Sequence, residues 1–119
     1  MGTTVENTLS RIKRQISQYP VLLYMKGSPQ FPMCGFSARV AQILTSLNTQ
    51  FAYVNILENP DIRSELPKYA NWPTFPQLYI QGELMGGCDI VTDMNEKGEL
   101  KEKLLEANAL NNLEITLAE

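Results

Sequence analysis

Val5, Leu9, Ile12 and Ile16 recur at helical spacing while Arg11, Lys13 and Arg14 fall elsewhere on the wheel, which predicts an amphipathic helix over Thr3–Gln18 that Pro20 stops. Val21-Leu22-Leu23-Tyr24-Met25 is a nearly continuous apolar run, the pattern of a central strand covered on both faces. Lys26 to Met33 holds Gly27, Pro29 and Pro32 and reads as a loop. Helical spacing returns in Phe36, Val40, Ile43, Leu44 and Leu47, so Cys34 stands where a helix over Gly35–Leu47 begins. Phe51 to Ile56 alternates as a second strand. Asn59-Pro60, a capping residue followed by Pro at the first helical position, opens a third helix through Ala70 whose end Pro67 is expected to distort. Prolines 73 and 76 exclude regular structure over Asn71–Pro76. Gln77–Ile80 and Glu83–Gly86 read as a hairpin around Gln81-Gly82, and Gly87-Cys88-Asp89 opens a last helical stretch through Leu105, broken near Gly98.

The first two strands with their crossover helix imply a parallel βαβ unit, and the last two an antiparallel hairpin. The expectation is an α/β fold: one four-stranded mixed sheet with helices on both faces. Neither a repeat nor a linker marks a second domain. Residues 1–106 form that domain, and 107–119 is an Asn-rich tail for which a frayed helix, disorder and a partner contact all stay open.

Composition narrows the chemistry more than it narrows the fold. With 119 residues, 44% of them hydrophobic, the chain can hold an ordinary core without disulfides or structural metal. A net charge of −3 with scattered Lys and Arg argues against nucleic-acid binding. The absence of histidine excludes Ser-His-Asp and Cys-His catalysis and histidine-ligated zinc or haem. The polar Met1–Ser10 segment is not a secretory signal, and no apolar run approaches the ~18 residues of a membrane span. A reducing cytosol is the expected home, so Cys34 and Cys88, which lack CxxC or zinc-like spacing, are expected as free thiols.

Cys34 follows a Gly/Pro loop and precedes a helix, where unpaired N–H groups and the dipole favour negative charge on sulfur. Lys26, across the loop, acts in the same direction. The competing reading of Cys34 is a packed small hydrophobe. A dithiol oxidoreductase resolves its mixed disulfide with a second Cys three positions on; here that position is Ser37, whose hydroxyl can cap the helix or bond the sulfur but cannot displace a thiolate.

Four motifs in register then carry a resemblance: Met25-Lys26-Gly27-Ser28-Pro29, Cys34-Gly35-Phe36-Ser37, Trp72-Pro73-Thr74-Phe75-Pro76-Gln77 and Gly86-Gly87-Cys88-Asp89-Ile90. From about Thr4 to Leu105 the chain resembles the monothiol, CGFS-type glutaredoxins, single-domain proteins of the thioredoxin fold. The resemblance implies a cis Phe75–Pro76 bond facing Cys34, with Phe75 backbone groups free to pair with glutathione. It implies Lys26 and Arg63 on the glycine carboxylate of glutathione, and Cys88 and Asp89 at its γ-glutamyl end. Taken alone, Arg63 would be a solvated helix residue, Asp89 an N-cap, Trp72 core or hinge, and Cys88 a packed side chain or a resolving thiol for Cys34 under oxidation.

The resemblance also implies a [2Fe–2S] cluster bridging a homodimer, each protomer supplying Cys34 and one glutathione, with delivery to apo recipient proteins and heterodimers with BolA-like partners. Four thiolates satisfy such a cluster. The alternative is a glutathione-dependent monothiol oxidoreductase with Cys34 as sole nucleophile. The loop Ser28–Met33, longer than in a plain dithiol glutaredoxin, weighs against it. Met33, bulkier than the residue often found before this thiol, is placed to shield sulfur without ligating it.

Overall fold

The computed structural model describes residues Glu6–Glu119, so Thr3–Val5 of the expected first helix lie outside the described residues. Helix α1 spans Thr8–Gln18 and starts there because the Asn7 side chain accepts from the Ser10 amide at 2.8 Å. Strand β1, Val21–Met25, is buried at every position. Then follow α2 (Gly35–Ser46), β2 (Gln50–Asn55), α3 (Pro60–Ala70), β3 (Gln77–Ile80), β4 (Glu83–Gly86), α4 (Cys88–Glu96), α5 (Glu99–Glu106) and β5 (Glu114–Leu117).

The sheet order is β4-β3-β1-β2-β5, with β1 central. β1 and β2 run parallel through the α2 crossover, with Leu22 opposite Ala52, while β3 runs antiparallel to β1 and β4 to β3. Alternation along β1 feeds two cores. Val21, Leu23 and Met25 pack with Val40 and Leu44 of α2, Val91 of α4, and Leu100 and Leu104 of α5. Leu22 and Tyr24 pack on the other face with Ile12 and Ile16 of α1 and Ile62 and Leu66 of α3. This two-sided burial is why the strand shows a run rather than an alternation.

The expected four-stranded sheet has a fifth strand. Residues 114–117, expected as frayed helix or disorder, pair parallel with β2, Phe51 opposite Ile115 and Tyr53 opposite Leu117. Leu113, Ile115 and Leu117 supply a period of two, and Ile115 packs against the first core. The asparagines are turn residues: Asn108 and Asn111 take φ of 56° and 64°, the left-handed region that Asn tolerates, and reverse the chain after α5.

Helix α3 reaches Ala70 as expected, with Pro67 inside it, and ends at Asn71 in the left-handed conformation. Two local expectations change. Asn59 is the residue before that helix, but its side chain does not cap it; its amide donates instead to the Asn55 carbonyl at 2.9 Å. Gly87, not Asp89, precedes α4, and Asp89 lies in its first turn.

Candidate functional site

The loop that follows β1 closes on itself. Met33 N–H donates to the Lys26 carbonyl at 2.9 Å, Ser28 and Phe31 exchange backbone hydrogen bonds, and Gly27 N–H donates to Asn55 Oδ1 at 2.9 Å. Gly27 has a φ of 90°, and a Cβ there would lie 2.5 Å from the Phe31 carbonyl oxygen, so the turn accepts only glycine. The closed loop delivers Cys34 in extended geometry directly ahead of α2, with no side chain capping the helix. Phe31 and Met33 point outward, 79% and 69% exposed.

Cys34 is a free, half-buried thiol whose pKa lies below the ordinary thiol value. The largest cause is the Ser37 backbone N–H; desolvation opposes it, and the Phe36 N–H, the Ser37 hydroxyl and the Lys26 charge add to it. Ser37 is fully buried and its oxygen accepts the Lys26 N–H at 3.0 Å, leaving its proton for the sulfur.

Opposite the thiol lies the loop 71–76. Trp72 N–H donates to the Pro67 carbonyl at 3.1 Å, and the Phe75–Pro76 bond is cis, in agreement with the sequence expectation. The third wall is the start of α4. A Cβ on Gly87 would lie 3.3 Å from the Pro76 carbonyl oxygen and 3.6 Å from Trp72 Nε1, so the missing side chain lets the helix start sit tightly against the proline loop.

These three segments and α3 enclose a groove of about 620 Å³, inside the roughly 300–1,000 Å³ typical of small-molecule sites. All seven residues singled out in the sequence, Cys34, Lys26, Arg63, Phe75, Pro76, Cys88 and Asp89, line it. Phe36, Thr74, Gly87 and Ile90 line it as well, residues of the same motifs to which the sequence assigns no ligand role. Cys88 is a second free thiol, with Sγ 4.0 Å from Thr92 Oγ1. Among the described residues no three His, Cys, Asp or Glu side chains gather as a metal site.

A free thiol with a lowered pKa at a helix start, beside a cis-proline loop on a mixed sheet, is the arrangement of a thioredoxin-like glutaredoxin. The glutaredoxin family profile matches residues 21–85, and the chain belongs to that family, as a monothiol member by its Cys34-Gly35-Phe36-Ser37 sequence. It is 60% identical over 109 residues to Glutaredoxin 4 of Escherichia coli K12, covering 92% of this chain and 91% of that protein. Identity to Glutaredoxin 4 of Haemophilus ducreyi is 62% over 99 residues, 83% of this chain and 92% of the relative. Among solved structures, reduced apo GrxS14 of poplar superposes with a TM-score of 0.73 at 49% identity, over 84% of this chain and 92% of that one. The holo form of glutaredoxin C1 from Populus tremula x tremuloides gives 0.77 at 28% identity, over 90% and 95%. Among the described residues no helix is long and apolar enough to cross a membrane.

Proposed function

We propose that this monothiol glutaredoxin binds glutathione in the groove and carries a [2Fe–2S] cluster between two protomers, delivering it to apo-proteins. The observation that carries the reading is Cys34 as the one thiol of its helix turn, thiolate-favouring and facing a groove with two cations, with buried Ser37 where a resolving thiol would stand. The groove suits an extended, doubly charged peptide. Lys26 and Arg63 offer cations for a carboxylate, Phe75 offers backbone groups, and the α4 start with Asp89 offers N–H groups and a counter-charge for an ammonium. Bound glutathione supplies a second thiolate per protomer, so two protomers reach the four that the cluster cargo requires.

Within the chain, Lys26 and Arg63 orient the ligand, and the Ser37 and Phe36 N–H groups hold charge on Cys34 Sγ. Exposed Phe31, Met33 and Phe36 offer an apolar rim for a second protomer or a BolA-like partner. A reducing cytosol keeps Cys34 available. The competing reading, a deglutathionylating oxidoreductase, draws on the same lowered pKa, because a thiolate is also the attacking species.

Anaerobic iron–sulfide reconstitution with glutathione, followed by visible absorption and size exclusion of wild type and Cys34→Ser, separates the two. Charge-transfer bands on a dimer that need both glutathione and Cys34 support the carrier. A colourless monomer that reduces a glutathionylated peptide through Cys34 replaces it with the enzyme.

A further inference from the structure

Gln77, the first residue of β3, is fully buried directly after Pro76. Its side chain approaches the Trp72 carbonyl at 3.1 Å, the Thr74 carbonyl at 3.2 Å and the Tyr79 hydroxyl at 2.9 Å. Carbonyls only accept, so the amide NH₂ must face the loop, and Oε1 is left to accept from Tyr79. Every strong donor of this carboxamide is therefore spent on holding residues 72–74.

The Thr74–Phe75 peptide is trans, since Phe75–Pro76 is the cis bond of the described backbone. In a trans peptide the C=O and the following N–H point in opposite directions. With the Thr74 oxygen turned inward to Gln77, the Phe75 N–H is turned toward the groove that Thr74 and Phe75 line. Among the described residues that N–H donates to nothing.

We infer that Gln77 is a positioning residue: it holds the Thr74 carbonyl inward and thereby aims the Phe75 N–H at the backbone carbonyl of a peptide ligand. The identity of that ligand as glutathione rests on the proposed function; the aiming itself does not. Without the two donors, the loop carbonyls must find other partners, and the Thr74–Phe75 peptide plane is free to rotate.

Calorimetric titration of the reduced full chain with glutathione tests this with Gln77→Met and Gln77→Leu, neither of which has a donor. Each should bind about tenfold more weakly, the scale of one lost ligand hydrogen bond. Tyr79→Phe leaves both donors in place and should bind within about twofold of wild type, although it too disturbs a buried pair. Wild-type affinity in either Gln77 variant, or equal loss in Tyr79→Phe, overturns the inference. Where wild type itself does not bind glutathione, the ligand reading fails, and the Phe75 amide resonance of the ligand-free protein decides the aiming. That resonance should shift in both Gln77 variants and stay in Tyr79→Phe; an unmoved Phe75 amide overturns the inference.

Discussion

The Lys26 amide donates to the Ser37 hydroxyl at 3.0 Å, tying the end of the central strand to the helix turn that carries the thiol. Ser37 thus closes the route to dithiol exchange and at the same time helps to hold charge on Cys34. Ser37→Ala leaves the Lys26 N–H without its partner in a part-buried position. Unfolding free energy should fall by about 1–3 kcal/mol, read by urea denaturation, while the fold and the groove are kept.

The thiol itself should show the shift in its pH profile. Its folded pKa is depressed, so Cys34 stays ionised at pH values where the thiol of the unfolded chain is protonated, and reactivity is lost only as pH falls through the lower value. Iodoacetamide alkylation of the ligand-free protein should reach its plateau at lower pH than in urea. Ser37→Ala should move the midpoint up, and Lys26→Met should move it up less, because the hydroxyl contributes ahead of the charge. Coincident folded and unfolded profiles would contradict the assignment.

Gly27 is tightly enclosed by its own loop. An alanine there meets the Phe31 carbonyl oxygen at 2.5 Å and the Met33 nitrogen at 2.7 Å, at a φ of 90°. Gly27→Ala should cost about 2–4 kcal/mol, from left-handed strain and overpacking together. Thermal unfolding measures it, and Gly35→Ala serves as the control, since a Cβ at Gly35 meets nothing within 4 Å.

The fifth strand makes a graded prediction. Ile115 is half-buried against the first core, whereas Leu117 is 58% exposed. Ile115→Ala should therefore destabilise by about 1–2 kcal/mol, and Leu117→Ala by less than about 0.5 kcal/mol. Equal effects of the two substitutions in urea unfolding would mean that β5 does not dock as described.

Local patterns carried most of this fold. Val21–Met25, Gln77–Ile80 and Glu83–Gly86 coincide with their strands because each is bounded by Pro, Gly or a turn pair. The groove residues were legible because four motifs converge on one site, although no spacing rule brings Arg63 of α3 to Cys34; only the crossovers of the sheet do. Residues 114–117 escaped because a four-residue alternation has meaning only beside the open edge of β2, more than 60 positions away in sequence. Gln77 escaped for a different reason. It reads as the polar first residue of a strand, and its inward orientation is visible only once the loop carbonyls are placed around it.

Both loops of the groove are already tied by hydrogen bonds within the chain: 26–33 through Met33–Lys26 and Gly27–Asn55, 72–76 through Trp72–Pro67 and Gln77. An incoming ligand orders little of the chain, and association involves no slow rearrangement of the groove. Differences in affinity among groove variants should then appear in residence time, with arrival rates nearly constant. A ligand seated in such a groove leaves it at a pace that these side chains set.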